Sequence, residues 1–261
     1  MKKIELKHFK SLIAQTRKNK IKFAVYMVLR LIILLVMINS IIKGAYENVF
    51  VCILALVLFM IPAFIETNFG ISLPTLLEII IFLFIFAAEI LGEIDCYYVK
   101  FAHFDTILHT INGFICAAVG FSLVDIFNRN PRIKFKLSPI FLAIVAFCFS
   151  MTIGVMWEFF EFGCDMFFHT DMQKDYIINS ISSVTLDETH SNTPVIIDNI
   201  NEVIVNGEKL KLGGYLDIGL IDTMKDLFVN LIGALVFSII GYFYISSRGK
   251  NKLAKVASLA S

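Results

Sequence analysis

Charge is scarce in this 261-residue chain. Only 17% of its residues are Asp, Glu, Lys or Arg, against 57% hydrophobic, and the mean hydropathy is +0.78. A soluble globular domain carries about 25% charged residues, so an ordinary soluble fold is excluded. Gly-rich and Pro-rich tracts are missing, as is any internal repeat, which excludes long linkers and low-complexity tails. The five cysteines, Cys52, Cys96, Cys116, Cys148 and Cys164, follow no zinc spacing and no CxxC pattern. Cys116 and Cys148 fall inside apolar runs and read as small packing residues. Cys96 and Cys164 fall near one proposed surface, where a disulfide between them stays open if that compartment is oxidising. There is no HExxH signature. The net charge of +1 provides no bulk attraction to nucleic acid, and no nucleic-acid partner is expected.

What the chain has instead is long apolar runs. Six of them approach the ~20 residues needed to cross ~30 Å of hydrocarbon: Phe23–Ile42, Val49–Ile65, Leu73–Leu91, Phe104–Phe127, Pro139–Phe159 and Met224–Ile245. The second is the shortest, and a re-entrant hairpin there stays open. Residues 1–22 interleave Lys2, Lys3, Lys7, Lys10, Arg17, Lys18, Lys20 and Lys22 with Ile4, Leu6, Phe9, Leu12 and Ile13. That pattern predicts a retained amphipathic helix on anionic lipid.

Arg129, Arg132, Lys134 and Lys136 follow the fourth span, and Arg248, Lys250, Lys252 and Lys255 follow the sixth. With six spans these basic segments share one side, and the positive-inside rule makes it cytoplasmic. Both termini are then expected in the cytoplasm and the chain in the plasma (inner) membrane. The expected fold is an all-α polytopic membrane protein with six transmembrane helices, an N-terminal amphipathic helix and a small extracytoplasmic β-hairpin loop. Its parts are a basic segment at 1–22, five helices over 23–167, an extracytoplasmic loop at 168–221, the sixth helix at 222–246 and a basic tail at 247–261. Within the loop, Asn206-Gly207 between alternating apolar residues predicts a tight hairpin turn, and the loop is expected to lie over the membrane part as a cap.

Ionisable residues inside spans are costly and mark candidate sites. Asp105, His109 and Asn112 step along one face of the fourth span, Glu158, Glu161 and Asp165 along the fifth, and Asp222, Asp226 and Asn230 along the sixth. The expected topology puts all seven ionisable groups in the outer third of the bilayer. Asn112 and Asn230 read first as interhelical hydrogen-bonders. For the carboxylates two readings stay open: a divalent cation held by His109 with acidic partners, or protonated carboxyls handling protons or a cationic substrate. The mixed N/O donor set suits zinc, manganese or iron. Arg30 and Glu78, both toward the inner side, are a candidate ion pair. Glu89 lies near the outer end of the third span, where it could join the pocket.

The run Asp222-Thr223-Met224-Lys225-Asp226, with Asn230 and Gly233-Ala234 after it, resembles the late "WDTQKDM…GA" signature of the YjdF-like bacterial inner-membrane proteins. The His109 span and Trp157-Glu158-Phe159-Phe160-Glu161 resemble that family's earlier histidine and "E-x-x-E-W" motifs. Ile221 stands where the late tryptophan is usual, and a long loop ending in Gly213-Gly214 replaces a short Gly-rich segment. The resemblance implies a shared architecture and a shared outer polar site, and supplies no reaction.

The leading expectation is a metal-assisted hydrolase or transferase on a lipid or envelope-linked substrate. His109, Glu161 and Asp226 are the expected metal ligands, with Glu158, Asp105 and Asp222 as catalytic carboxylates. The rivals are a proton- or cation-coupled transporter and a non-catalytic sensing or interaction protein. The inner halves of the fourth and fifth spans offer few ionisable groups, which counts against a transport path.

Overall fold

The computed structural model describes residues 20–69, 73–129 and 137–247. Most of the N-terminal basic segment, the basic residues of the fourth connection beyond Arg129, and the basic tail from Arg248 lie outside them. Six helices among the described residues are long and apolar enough to cross a membrane. The first is α1 (Lys20–Lys43). The second, Tyr46–Asn68, is built from α2 (Tyr46–Leu58) and α3 (Ile61–Phe69) with a break at Phe59 and Met60. Pro62 has no N–H and sits in the first turn of α3, where a helix tolerates it. At 23 residues the pair reaches about 34 Å, enough to cross.

The third span is α4 (Thr75–Phe86), whose last two turns widen into a π-helix at Ala87–Ile94. A short helix, α5 (Tyr97–Lys100), precedes α6 (Phe104–Arg129). The fifth and sixth spans are α7 (Pro139–Phe168) and α8 (Leu220–Ser247). Apolar side chains on the outward faces, such as Leu31, Leu35 and Ile38 of α1, are left exposed, as lipid-facing helices require.

The chain divides into two compact units. One runs through Gly154 and resumes at Phe228; the other is Val155–Leu227. In the first unit α6 is the shared wall of two cores. Ile115 and Val119 pack with Leu29, Ile33, Ala55, Phe59, Phe82 and Ile90. Ala117, Ala118 and Phe121 pack with Leu142, Ala146, Ala234 and Phe237. Small residues let α6 and α8 come close. A Cβ at Gly113 would lie 2.0 Å from the Asn230 carbonyl oxygen, and one at Gly233 would lie 2.0 Å from that of Thr110. Without a hydrophobic drive between helices in lipid, such close contact is a main source of cohesion.

An ion pair crosses the first unit. Lys22 Nζ lies 2.5 Å from Glu78 Oε2, with both side chains over nine-tenths buried. The sequence suggested Arg30 as the partner of Glu78, but Arg30 instead donates to the Tyr26 hydroxyl and sits over that ring. Lys22, Tyr26 and Arg30 share one face of α1, so the lysine two turns earlier reaches the carboxylate and the guanidinium stays with tyrosine.

The second unit holds the end of α7, the start of α8 and three two-stranded antiparallel sheets between them. The strands β1 (Ile177–Ile178) and β6 (Tyr215–Leu216) pair near the base. The strands β2 (Ile181–Ser183) and β3 (Val195–Ile197) pair further out. The strands β4 (Ile204–Val205) and β5 (Glu208–Lys209) flank Asn206-Gly207, whose φ values of 52° and 87° are those of a type I′ turn.

Candidate functional site

In the first unit, α6 carries Asp105 and His109 one turn apart. His109 Nε2 lies 3.4 Å from Asp105 Oδ1, and their side chains are 12% and 30% exposed. One turn deeper, Asn112 Nδ2 donates to Asn230 Oδ1 of α8 at 3.2 Å, and Cys116 Sγ donates to Asn112 Oδ1 at 3.4 Å. Asn230 Nδ2 is 3.6 Å from Met151 Sδ, and Ser150 Oγ donates to the Gly113 carbonyl at 2.8 Å. Asn112 and Asn230 are therefore the interhelical bonders their positions suggested. They fix α6 against α7 and α8 directly beneath the Asp105–His109 pair.

In the second unit, Glu158, Glu161, Asp222 and Asp226 are all buried. Glu161 Oε1 accepts the Trp157 indole N–H at 2.8 Å, an i,i+4 contact along α7. Asp165 is the anchor of the loop that leaves α7. It accepts the Met172 and Gln173 amides at 2.7 and 2.9 Å and the Thr170 hydroxyl at 2.7 Å. Asp222 Oδ2 accepts the Lys174 amide at 2.8 Å, and Gln173 Nε2 donates to Thr223 Oγ1 at 2.5 Å. Asp217 accepts the Tyr176 and Ile221 amides, both at 2.7 Å, closing the first turn of α8. Lys225 Nζ sits 3.6 Å from the Tyr176 ring centre, a cation–π contact.

These contacts divide the expected site residues by role. Asp165 and Asp222 hold loop amides, so at least one carboxylate oxygen of each is committed to architecture. Asp217, Gln173 and Thr223 complete that junction, and sequence reasoning passed over them. Their partners are backbone amides or lie some fifty positions away, which leaves no local signature. Lys100, at the end of α5, donates to the Asp95 carbonyl at 2.6 Å. Cys96 is exposed in the first unit and Cys164 buried in the second, and neither is in a disulfide among the described residues.

Two loop carboxylates are perturbed. Asp187 accepts hydrogen bonds from the hydroxyls and amides of Thr189 and Ser191, which hold it well below the usual carboxylate range. Asp175 is pushed up, first by burial and then by the charges of Asp171 and Asp217.

No curated protein and no solved structure matches the chain. The sequence model of one family, described as predicted membrane protein (DUF2238), matches residues 25–247, from the first span to the end of α8. That range takes in the His109, Glu158–Glu161 and Asp222–Asp226 motifs together, and with six helices able to span a bilayer the chain is a multi-pass membrane protein of the DUF2238 family.

Proposed function

We propose that the chain is a metal-dependent hydrolase or transferase of the plasma membrane, acting on a lipid or envelope-linked substrate at the extracytoplasmic ends of its last three spans. The observation that carries this reading is the 3.4 Å separation of His109 Nε2 and Asp105 Oδ1. That is long for a charge-assisted hydrogen bond. It equals the spacing of two donors on one tetrahedral ion, since bonds of ~2.0–2.1 Å at the tetrahedral angle leave donor atoms about 3.3 Å apart. Asp226 of α8 would complete His109 and Asp105 as a set of one imidazole and two carboxylates, each giving one ligand atom. A metal that keeps an open position takes such a set.

Consecutive spans alternate in direction, which supports placing the start of α6, the end of α7 and the start of α8 on one side of the membrane. A bound divalent ion would supply a water acidic enough to ionise near neutral pH. Glu158, buried near the end of α7, would take its proton as general base. Glu161, already oriented by Trp157, is the fourth candidate ligand. The depth suits a bond close to a lipid headgroup, with both chain termini in the cytoplasm.

Metal analysis of detergent-purified protein tests the reading, with wild type beside His109→Ala and Asp226→Asn. A stoichiometric transition metal in wild type, lost in both variants, supports it. Folded wild type free of metal after purification without chelator overturns it.

A further inference from the structure

The third span ends in an unusual way. Over Ala87–Ile94 the helix is wound as a π-helix, and the Asp95 amide donates to the carbonyl of Ile90, five residues back, at 3.0 Å. Such turns are rare and concentrate at functional sites. This one is held from outside. A Cβ at Gly92 would lie 2.4 Å from Tyr98 Cε2, so the tyrosine ring rests on the turn only because residue 92 has no side chain.

Glu89 sits inside this turn at 2% exposure, and its Oε2 has no hydrogen-bond partner among the described residues. An ionised carboxylate withdrawn from water without a counter-charge is among the costliest groups to bury, and a proton removes that charge. The helix ends a turn later, where the last carbonyls add partial negative charge and oppose an anion further. Glu93, half-buried one turn on, is a second acid on the same segment.

The turn packs against α2, α4, α5 and α6. The titratable groups on those elements are Tyr46, Glu47 and Cys52 on α2, Glu78 on α4, Tyr97, Tyr98 and Lys100 on α5, and Asp105, His109, Cys116, Asp125 and Arg129 on α6. Of their basic members, Lys100 is engaged with the Asp95 carbonyl and His109 with Asp105, while Arg129 closes the opposite end of α6.

We propose that Glu89 is a proton-binding site within the membrane, a buried carboxylic acid on the π-turn that holds its proton at neutral pH. This goes beyond the metal reading and shares no residue with it. Glu78, three turns earlier on the same span and bonded to Lys22, serves as its built-in contrast, a carboxylate balanced by a cation.

A hydrophobic carbodiimide reads the difference. It reacts with a carboxylic acid by taking the acid's proton on one nitrogen and the carboxyl oxygen on its central carbon. An oxygen-to-nitrogen acyl shift then leaves a stable N-acylurea. Purified full-length protein would be treated with dicyclohexylcarbodiimide at neutral and alkaline pH, with and without chelator, beside a water-soluble carbodiimide, and the adducts mapped by peptide mass spectrometry. The expected result is an adduct on Glu89 at neutral pH that declines as pH rises, needs the hydrophobic reagent, is unaffected by chelator and is lost in Glu89→Gln. Glu78 should remain unlabelled. An unlabelled Glu89 in folded wild type would overturn the proposal, as would equal labelling by the water-soluble reagent or labelling of Glu78 to the same extent. Labelling that appears only after chelation would place a metal cation at Glu89 and overturn it too. The wild-type arms decide the matter even if the variant fails to fold.

Discussion

Two glutamates lie buried on the third span, three turns apart, and are kept there by opposite means. Glu78 stands in the first turn of α4, where the unpaired amides favour an anion, and Lys22 of α1 reaches it at 2.5 Å. Glu89 stands near the other end, where the carbonyls disfavour an anion, and its Oε2 meets no donor among the described residues. Burial is the same, at 4% and 2% exposure. The lesson is that burial alone does not assign a carboxylate's role. The helix end it occupies and the reach of the nearest cation decide whether it acts as half of a tether or as a group free to exchange a proton.

The sharpest way to break this contrast is to make one substitution at both positions. Glu78→Met should destabilise the protein by about 3–5 kcal/mol, because it removes the carboxylate that pairs with the buried Lys22 ammonium. Unfolding in mixed micelles measures it, and adding Lys22→Met should restore most of the loss. Next in size, Gly92→Ala should cost about 1–3 kcal/mol by forcing Tyr98 off the π-turn, with partial recovery when Tyr98→Ala is added.

Glu89→Met should change stability by less than about 1.5 kcal/mol, because it exchanges a neutral group for an apolar one of similar length. A loss equal to that of Glu78→Met would erase the comparison. The smallest effect concerns a third carboxylate, in the loop. Asp187 is depressed by its hydrogen bonds, so its folded form binds protons less readily than an unfolded chain does. The stability it contributes is complete above the ordinary carboxylate value of about 3.9 and is lost as pH falls below it, toward the depressed value. Hydrogen exchange at the Thr189 and Ser191 amides, corrected for intrinsic rate, should show protection at pH 5 that weakens below about pH 4. Asp187→Asn should lack that dependence.

The sequence made the spans legible because each is a long apolar run, and it made Asn112 and Asn230 legible because a lone amide at mid-span has few uses other than bonding a neighbour. It could not show the π-turn. In Leu83–Ile94 every residue but Glu89, Gly92 and Glu93 is apolar, so a repeat of 3.6 cannot be told from one of 4.4. It also misplaced the ion pair. Lys22 read as part of a surface segment, and its partner lies 56 positions away, whereas Arg30 matched Glu78 better by depth. The acidic residues of the candidate site were visible as costly charges. That Asp165 and Asp222 would hold backbone amides was not, because every residue but proline offers the same donor.

The Lys22–Glu78 bond also has a consequence in time. A ribosome makes Lys22 56 residues before it makes Glu78, and the whole second span is synthesised in between. Throughout that interval the first helix carries an ammonium group whose eventual counter-ion does not yet exist. Only when the third helix arrives with its glutamate can the bond that ties it to the first form. The tie between these two helices is thus a debt contracted in the first and discharged in the third.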